Sequence, residues 1–307
     1  MHTRRDFLGL LGGLAAAYPA GLLGAGGGFK PRHLLSSALY GGLPLSEVLP
    51  EVAVSGATGL DIWCKPHGSQ REDMDGMGLD AAAALFEKHR VRLVCSTRYG
   101  LGPFGLGEEM KILKRFGGEL LVTGAHGPKN VAGAEARAAV KTFLEQLQPH
   151  ADAAGALGLK IAIENHSNSL LCTPDSIRAW AELNRHPALG MAFAPHHLHE
   201  SVGEMPGLIR DLGAANLPFF YLQEHGIGAK QKVEKSIELQ QLPGYGSLDY
   251  GPILAALAGV GFHGWLEIFM HPTPRGIPVV EGGAAAVTAV VKKSRDHVDQ
   301  LIAAGKL

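Results

Sequence analysis

Cysteine is scarce: the 307 residues include three, Cys64, Cys95 and Cys172. They are widely separated and match no zinc spacing, which excludes a cysteine-built zinc site. Cys64 and Cys95 fall at the ends of neighbouring strand candidates. A disulfide there is conceivable, but buried free thiols fit better. Charge is also sparse, at 19% of residues with a formal net charge of −1. No Lys/Arg block or basic stripe appears, so no nucleic-acid partner is expected. Past the N-terminal segment no run of 18 apolar residues marks a membrane span. After the first strand candidate, Ala38–Ser46 offers no Gly-rich dinucleotide or phosphate loop, which counts against a doubly wound open sheet. No repeat, low-complexity tail or interdomain linker stands out.

What is present is an alternation. The chain is 46% hydrophobic, with 42 Gly and 18 Pro, long enough for a large core. Short β-branched or apolar runs alternate with longer stretches of helical period, the signature of βα units around a parallel sheet. The strand candidates are His33–Leu39, Gly59–Cys64, Val91–Ser96, Glu119–Gly124, Lys160–Glu164, Leu189–Ala194, Leu217–Leu222 and Gly264–Phe269. Between them, Ala134–Leu147 places Val140, Phe143, Leu144 and Leu147 on one helical face, and Ala284–Ala304 forms a last helix. Thr173-Pro174 reads as an N-cap followed by Pro at the first helical position. Ser247-Leu248-Asp249 reads as a helix opening. Eight such pairs fit an α/β fold, a single (β/α)8 TIM barrel over residues 29–307.

Residues 1–28 read as an address. Arg4-Arg5-Asp6-Phe7-Leu8 precedes a Gly/Ala-rich apolar run, Gly9–Ala17, with small residues around Ala20, the pattern of a twin-arginine export signal. A plain membrane anchor is the alternative for this segment. The expected location is periplasmic or secreted, with membrane contact only through an uncleaved signal.

In barrels of this kind active sites lie at the C-terminal strand ends. Strand 5 ends Ile163-Glu164-Asn165-His166, strand 6 ends Ala194-Pro195-His196-His197, strand 7 ends Tyr221-Leu222-Gln223-Glu224-His225, and strand 8 contains Trp265-Leu266-Glu267. Carboxylates and imidazoles therefore gather at four consecutive mouths. An apolar strand ending in Glu is costly unless that Glu meets solvent, a cation or a hydrogen-bond network.

Together with a Pro-Gly-x-Gly turn at Pro243–Gly246 and with Asp249, these motifs resemble the sugar isomerase/epimerase barrels, a superfamily that includes the xylose-isomerase-like proteins and the apurinic endonucleases. The resemblance implies four ligands around a divalent cation: Glu from strand 5, Asp from strand 6, His from strand 7 and Glu from strand 8. Glu164 and Glu267 match the first and last, whereas Ala194 stands for the Asp and Tyr221 for the His. Two readings follow. In one, His197 or His225 joins Glu164 and Glu267 around Mn, Zn or Co. In the other, no metal binds and the acidic pair works alone or only hydrogen-bonds a sugar. The implied activity is proton transfer next to a carbonyl by Glu164 and Glu267 as an acid/base pair on a small-molecule carbohydrate. The alternative is a non-catalytic carbohydrate-binding barrel with a degenerate metal site. The net charge and the export signal argue against an endonuclease. Expected substrate contacts are His197, His166, His126 and a stacking face on Trp63. Each has a purely structural alternative: Trp63 as a core or rim residue, His126 as a plain loop residue, His196-His197-His199 as a solvated loop. Tyr99, Phe104 and Gly100–Gly107 suggest a cover after strand 3.

Overall fold

The computed structural model describes residues 28–304; the expected export segment, save its last residue, lies outside them. Eight parallel strands close into one barrel in sequence order, β8 returning to β1. They are β1 (Arg32–Ser36), β2 (Gly59–Trp63), β3 (Leu93–Thr97), β4 (Leu120–Gly124), β5 (Lys160–Glu164), β6 (Leu189–Phe193), β7 (Phe219–Leu222) and β8 (Trp265–Ile268). Each lies within three residues of its expected bounds.

Alternation along the strands divides the apolar residues into two cores. Outward residues such as Leu35, Ile62, Leu121, Ile161 and Leu266 pack against the helices. Inward residues fill the barrel: Leu34, Trp63, Val94, Cys95, Val122, Ala162, Ala192, Phe219, Tyr221, Trp265 and Phe269. The filling is lopsided. β5 and β6 contribute alanines, while β7 and β8 contribute rings.

The helices follow their periodicity, with informative differences. The helix expected to end at Leu147 runs over Gly133–Ala156, through Pro149, burying Val140, Phe143 and Leu147. The last helix spans Ala284–Ala303. Asp249 does not open its helix from within. That helix starts at Gly251, whose N–H donates to Asp249 Oδ1 at 2.9 Å, because the N–H groups of Ser247 and Leu248 are already taken by Glu224 Oε2, each at 2.7 Å. The three cysteines are free; Cys95 is buried, while Cys64 and Cys172 are only half-buried.

Thr173 caps the helix Pro174–Leu183 with a full capping box: its side chain accepts from Ser176 N–H, and the Ser176 hydroxyl accepts from Thr173 N–H. Thr173→Ala should lower unfolding free energy by about 1 kcal/mol, measurable by urea titration; an unchanged midpoint would mean that the cap contributes nothing.

Candidate active site

Inward-pointing polar residues begin where the apolar filling stops. On β2 and β8 these are Asp61 and Glu267, both fully buried. Asp61 Oδ2 accepts from the Thr97 hydroxyl at 2.7 Å. Asp61 Oδ1, both Glu267 carboxyl oxygens and Trp63 Nε1 make no well-formed hydrogen bond, although Asp61, Glu267 and Trp63 lie close enough to act on one another. Burial pushes Asp61 up to about 6 against the hydrogen bond from Thr97. Burial, then the Asp61 charge, pushes Glu267 well above the usual carboxylate range. The two behave as neighbouring acids in a dry layer, of which at least one stays protonated near neutrality.

That layer is roofed. Two residues further along β2, Trp63 stacks on Phe269, two residues beyond Glu267, with ring centroids 4.6 Å apart at 14°. Tyr221, level with Glu267 in the β7–β8 register, packs against Phe269. All three rings are at most 2% exposed. Trp63 is therefore a buried residue rather than an exposed stacking face, and Glu267 lies beneath this stacked pair, while the Tyr221 phenol feels the charge of both Glu164 and Glu267.

Glu164 is placed differently. It ends β5 on the inward face, level with Gly124 of β4 and Ala192 of β6. The Tyr99 ring packs beside Gly124 at ordinary van der Waals distance. The Tyr99 hydroxyl donates to Glu164 Oε2, and His197 Nε2 lies 3.5 Å from Oε1. Burial lifts the Glu164 carboxyl to about 7, offset in part by His166. Asn165, fully buried, ties β5 to β6 in both directions: its amide donates to Ala194 O at 3.0 Å and its oxygen accepts from Ala194 N–H at 2.7 Å. That clamp fixes the start of the turn carrying His196 and His197.

Around the mouth the aromatic side chains form a closed circuit. Successive centroid distances are Trp63–His67 5.2 Å, His67–His271 5.1 Å, His271–His196 5.9 Å, His196–His197 3.8 Å, His197–His166 3.8 Å, His166–Tyr99 6.5 Å and Tyr99–Trp63 5.8 Å. Burial, the first cause in each case, pulls His67 down to about 4 and His197 to about 3, and holds His196 and His271 well below their ordinary value. Four imidazoles are thus neutral at pH 7, able to donate and accept hydrogen bonds. Such a rim suits an uncharged, hydroxyl-rich ligand.

The remaining expected residues fall elsewhere. His225 is exposed and stacks on His199 at 3.7 Å, lining a small cleft with Glu224 and Asp249. It does not reach Glu164 or Glu267. His126 is exposed and packs edge-on against Phe104, which meets Phe143 and His150 of the helix Gly133–Ala156. His166 does border the site, its Nδ1 donating to Ser167 O at 2.8 Å. Among the described residues, only Glu164, His196 and His197 bring three candidate ligand atoms of His, Cys, Asp or Glu within 4.8 Å of one another. The four family ligand positions are not among them as a set. Ala194 has no donor atom, the buried Tyr221 phenol is held protonated by burial and nearby carboxyls, and Glu267 faces Asp61.

The Pro243–Gly246 turn has a local role. A Cβ on Gly246 would stand 2.1 Å from Glu224 Oε2 and 2.2 Å from Gln240 O. Gly246→Ala should therefore cost about 1–3 kcal/mol of stability, read as a fall in the thermal midpoint; no change would show that the turn yields freely.

The family model for the xylose isomerase-like TIM barrel matches residues 49–287. No curated protein matches the chain. Among solved structures, the fold is similar to the IOLI protein crystallised with a zinc atom (TM-score 0.68, 17% identity, 88% of this chain and 99% of that one). It is also similar to D-psicose 3-epimerase from Clostridium cellulolyticum H10 with D-tagatose (TM-score 0.64, 14% identity, 88% and 99%) and to D-allulose 3-epimerase from Methylomonas sp. (TM-score 0.63, 15% identity, 89% and 99%). By closed barrel and matched span, the chain belongs to the xylose isomerase-like TIM barrel family.

Proposed function

We propose that this barrel is an exported carbohydrate isomerase in which Glu164, without Glu267, carries the proton. The observation behind this reading is the position of Glu164: an inward carboxyl bordering a circuit of neutral imidazoles, with its Oε2 already bonded to a hydroxyl, that of Tyr99. A sugar hydroxyl can replace the Tyr99 hydroxyl at that oxygen. Glu164 then takes the proton from the carbon beside the carbonyl and returns it to the neighbouring carbon on the same face. In the same passage the hydroxyl proton of the first carbon moves to the carbonyl oxygen, and the enediol between them closes to the isomeric carbonyl. His197 and His166 border Glu164 and would contact substrate hydroxyls. One carboxyl suffices for such same-face transfer, whereas inversion at a carbon calls for a second group on the opposite side. Isomerisation is therefore favoured over epimerisation, the activity named for several structural neighbours. The Arg4-Arg5 segment supports action in the periplasm or outside the cell.

The test is C–H exchange in deuterated water, followed by NMR, over a panel of aldoses and ketoses. Deuterium at the carbon flanking the carbonyl, together with interconversion, is the expected result. No exchange from folded protein on a broad panel would sink the proposal. Ala194 and Tyr221 at family ligand positions favour a second reading, a non-catalytic carbohydrate-binding barrel. It predicts calorimetric sugar binding without exchange, and binding unaltered in Glu164→Gln.

A further inference from the structure

We infer that the chain binds one divalent cation of the zinc or cobalt type through Glu164, His196 and His197, a site moved sideways from the family position onto β5 and the turn after β6. It lies within the site assigned above to carbohydrate chemistry, but it rests on its own observations.

The first is convergence. Carboxylate and imidazole atoms of the three residues fall within 4.8 Å of one another, and Glu164 Oε1 to His197 Nε2 is 3.5 Å. Two donors each about 2.0–2.1 Å from a tetrahedral ion stand about 3.3–3.4 Å apart, so that pair is already spaced as ligands of one ion. The second observation is the state of the imidazoles. His196 is 6% exposed, yet neither of its ring nitrogens has a hydrogen-bond partner, and His197 Nε2 is likewise buried and unpartnered. Buried polar atoms without partners are costly, and a cation would satisfy them. The third is the backbone support. Asn165 locks Ala194 from both sides, and His197 N–H donates to Ala194 O at 3.2 Å, so the two histidines rise from a braced turn.

Two imidazoles and one carboxylate suit zinc, cobalt or manganese better than magnesium. Three protein ligands leave a further position open, as in sites that act on a bound molecule rather than merely hold the fold. The geometry also divides labour within Glu164: Oε1 faces His197 and the ion, while Oε2 is the oxygen held by Tyr99. β7 and β8 cannot contribute, because Tyr221 and the roof of Trp63 and Phe269 fill that half of the barrel.

The test is cobalt titration of the chelator-treated full chain, followed by visible absorption and calorimetry, with circular dichroism as the check on folding. One Co²⁺ per chain with bands of low-coordinate cobalt is expected. Glu164→Gln, His196→Gln and His197→Gln should each weaken binding by at least about a hundredfold, while Glu267→Gln and His225→Gln leave it unchanged. Absence of stoichiometric cobalt overturns the site. So does loss of binding in Glu267→Gln with retention in both histidine variants, which would return the ion to the family position. Exchange activity that persists in protein unable to take up cobalt overturns the cation site while leaving the isomerase reading in place. Stoichiometric cobalt with no exchange on any sugar does the reverse.

Discussion

Replacing Glu164 with Gln should lower carbon-bound hydrogen exchange by about a thousandfold, whereas Glu267→Gln should leave the rate of the same order. The asymmetry follows from position. Glu164 stands at the mouth with one oxygen on a tyrosine hydroxyl and the other toward His197. Glu267 is fully buried beside Tyr221, under the stacked Trp63 and Phe269. Gln keeps the size of Glu and removes the titratable carboxyl, so the variant isolates chemistry from packing. Far-ultraviolet circular dichroism on both variants would confirm intact barrels. Equal losses in the two variants would restore the acidic pair and contradict the placement of the chemistry on Glu164.

The second large effect is on stability. Asp61 and Glu267 hold their protons longer in the folded state than in the unfolded chain, so the folded form binds more protons as pH rises through the ordinary carboxylate range. Stability from this pair is complete below the unfolded values near 4. It falls as pH climbs through about 6 for Asp61 and further for Glu267. Raised folded-state values make the folded form less stable at pH 8 than at pH 4, burial being the first cause for both groups. Glu267→Gln removes the like charge while keeping the shape, so the variant should be more stable than the parent at pH 8, with the two converging near pH 4. Glu164 and Glu224, both lifted to about 7 mainly by burial, slope in the same direction. The depressed histidines slope oppositely, losing stability as pH falls below their ordinary value. Both sets are common to parent and variant, so the difference between the two denaturation curves across pH reports the buried pair. A Glu267→Gln protein less stable at every pH would show that this carboxyl is a structural asset.

The fold was legible because strand alternation and helical period are local signals. Each run of apolar residues ending in a polar one marked a strand, and the core separated into inner and outer sets as that alternation required. Thr173-Pro174 announced its helix through chemistry that acts within one turn. The site was legible in part. Glu164, His166 and His197 sit on or just after strand ends and proved to be neighbours. Glu267, by the same strand logic, also points inward, but its depth depends on Trp63 and Phe269, contributed by two strands that pattern reading cannot bring together. His225 follows its strand end closely and was expected at the site, yet the chain turns there and its ring pairs with His199.

Tyr99, His67, His196 and His271 illustrate the opposite failure. Tyr99 reads in sequence only as part of a cover after β3, and its bond to Glu164 joins groups 65 residues apart that local pattern cannot bring together. His67 and His271 follow β2 and β8 in loops with no motif, and their contact closes the circuit across the mouth. His196 lay in a His-rich run whose solvated-loop alternative was reasonable from composition, yet it is buried with both nitrogens free of partners. One signal was available in the sequence: Ala162, Ala192 and Ala194 against Phe219, Tyr221, Trp265 and Phe269. Small residues on one side and rings on the other already indicate that the barrel is filled unevenly.

The most direct measurement is a crystal structure of the protein soaked with a ketose that supports exchange. Sugar atoms in contact with Glu164 and His197, with Trp63 and Phe269 still stacked above an untouched Glu267, are the predicted result. A sugar lying between the Glu164 and Glu267 carboxylates, with that roof displaced, would contradict it.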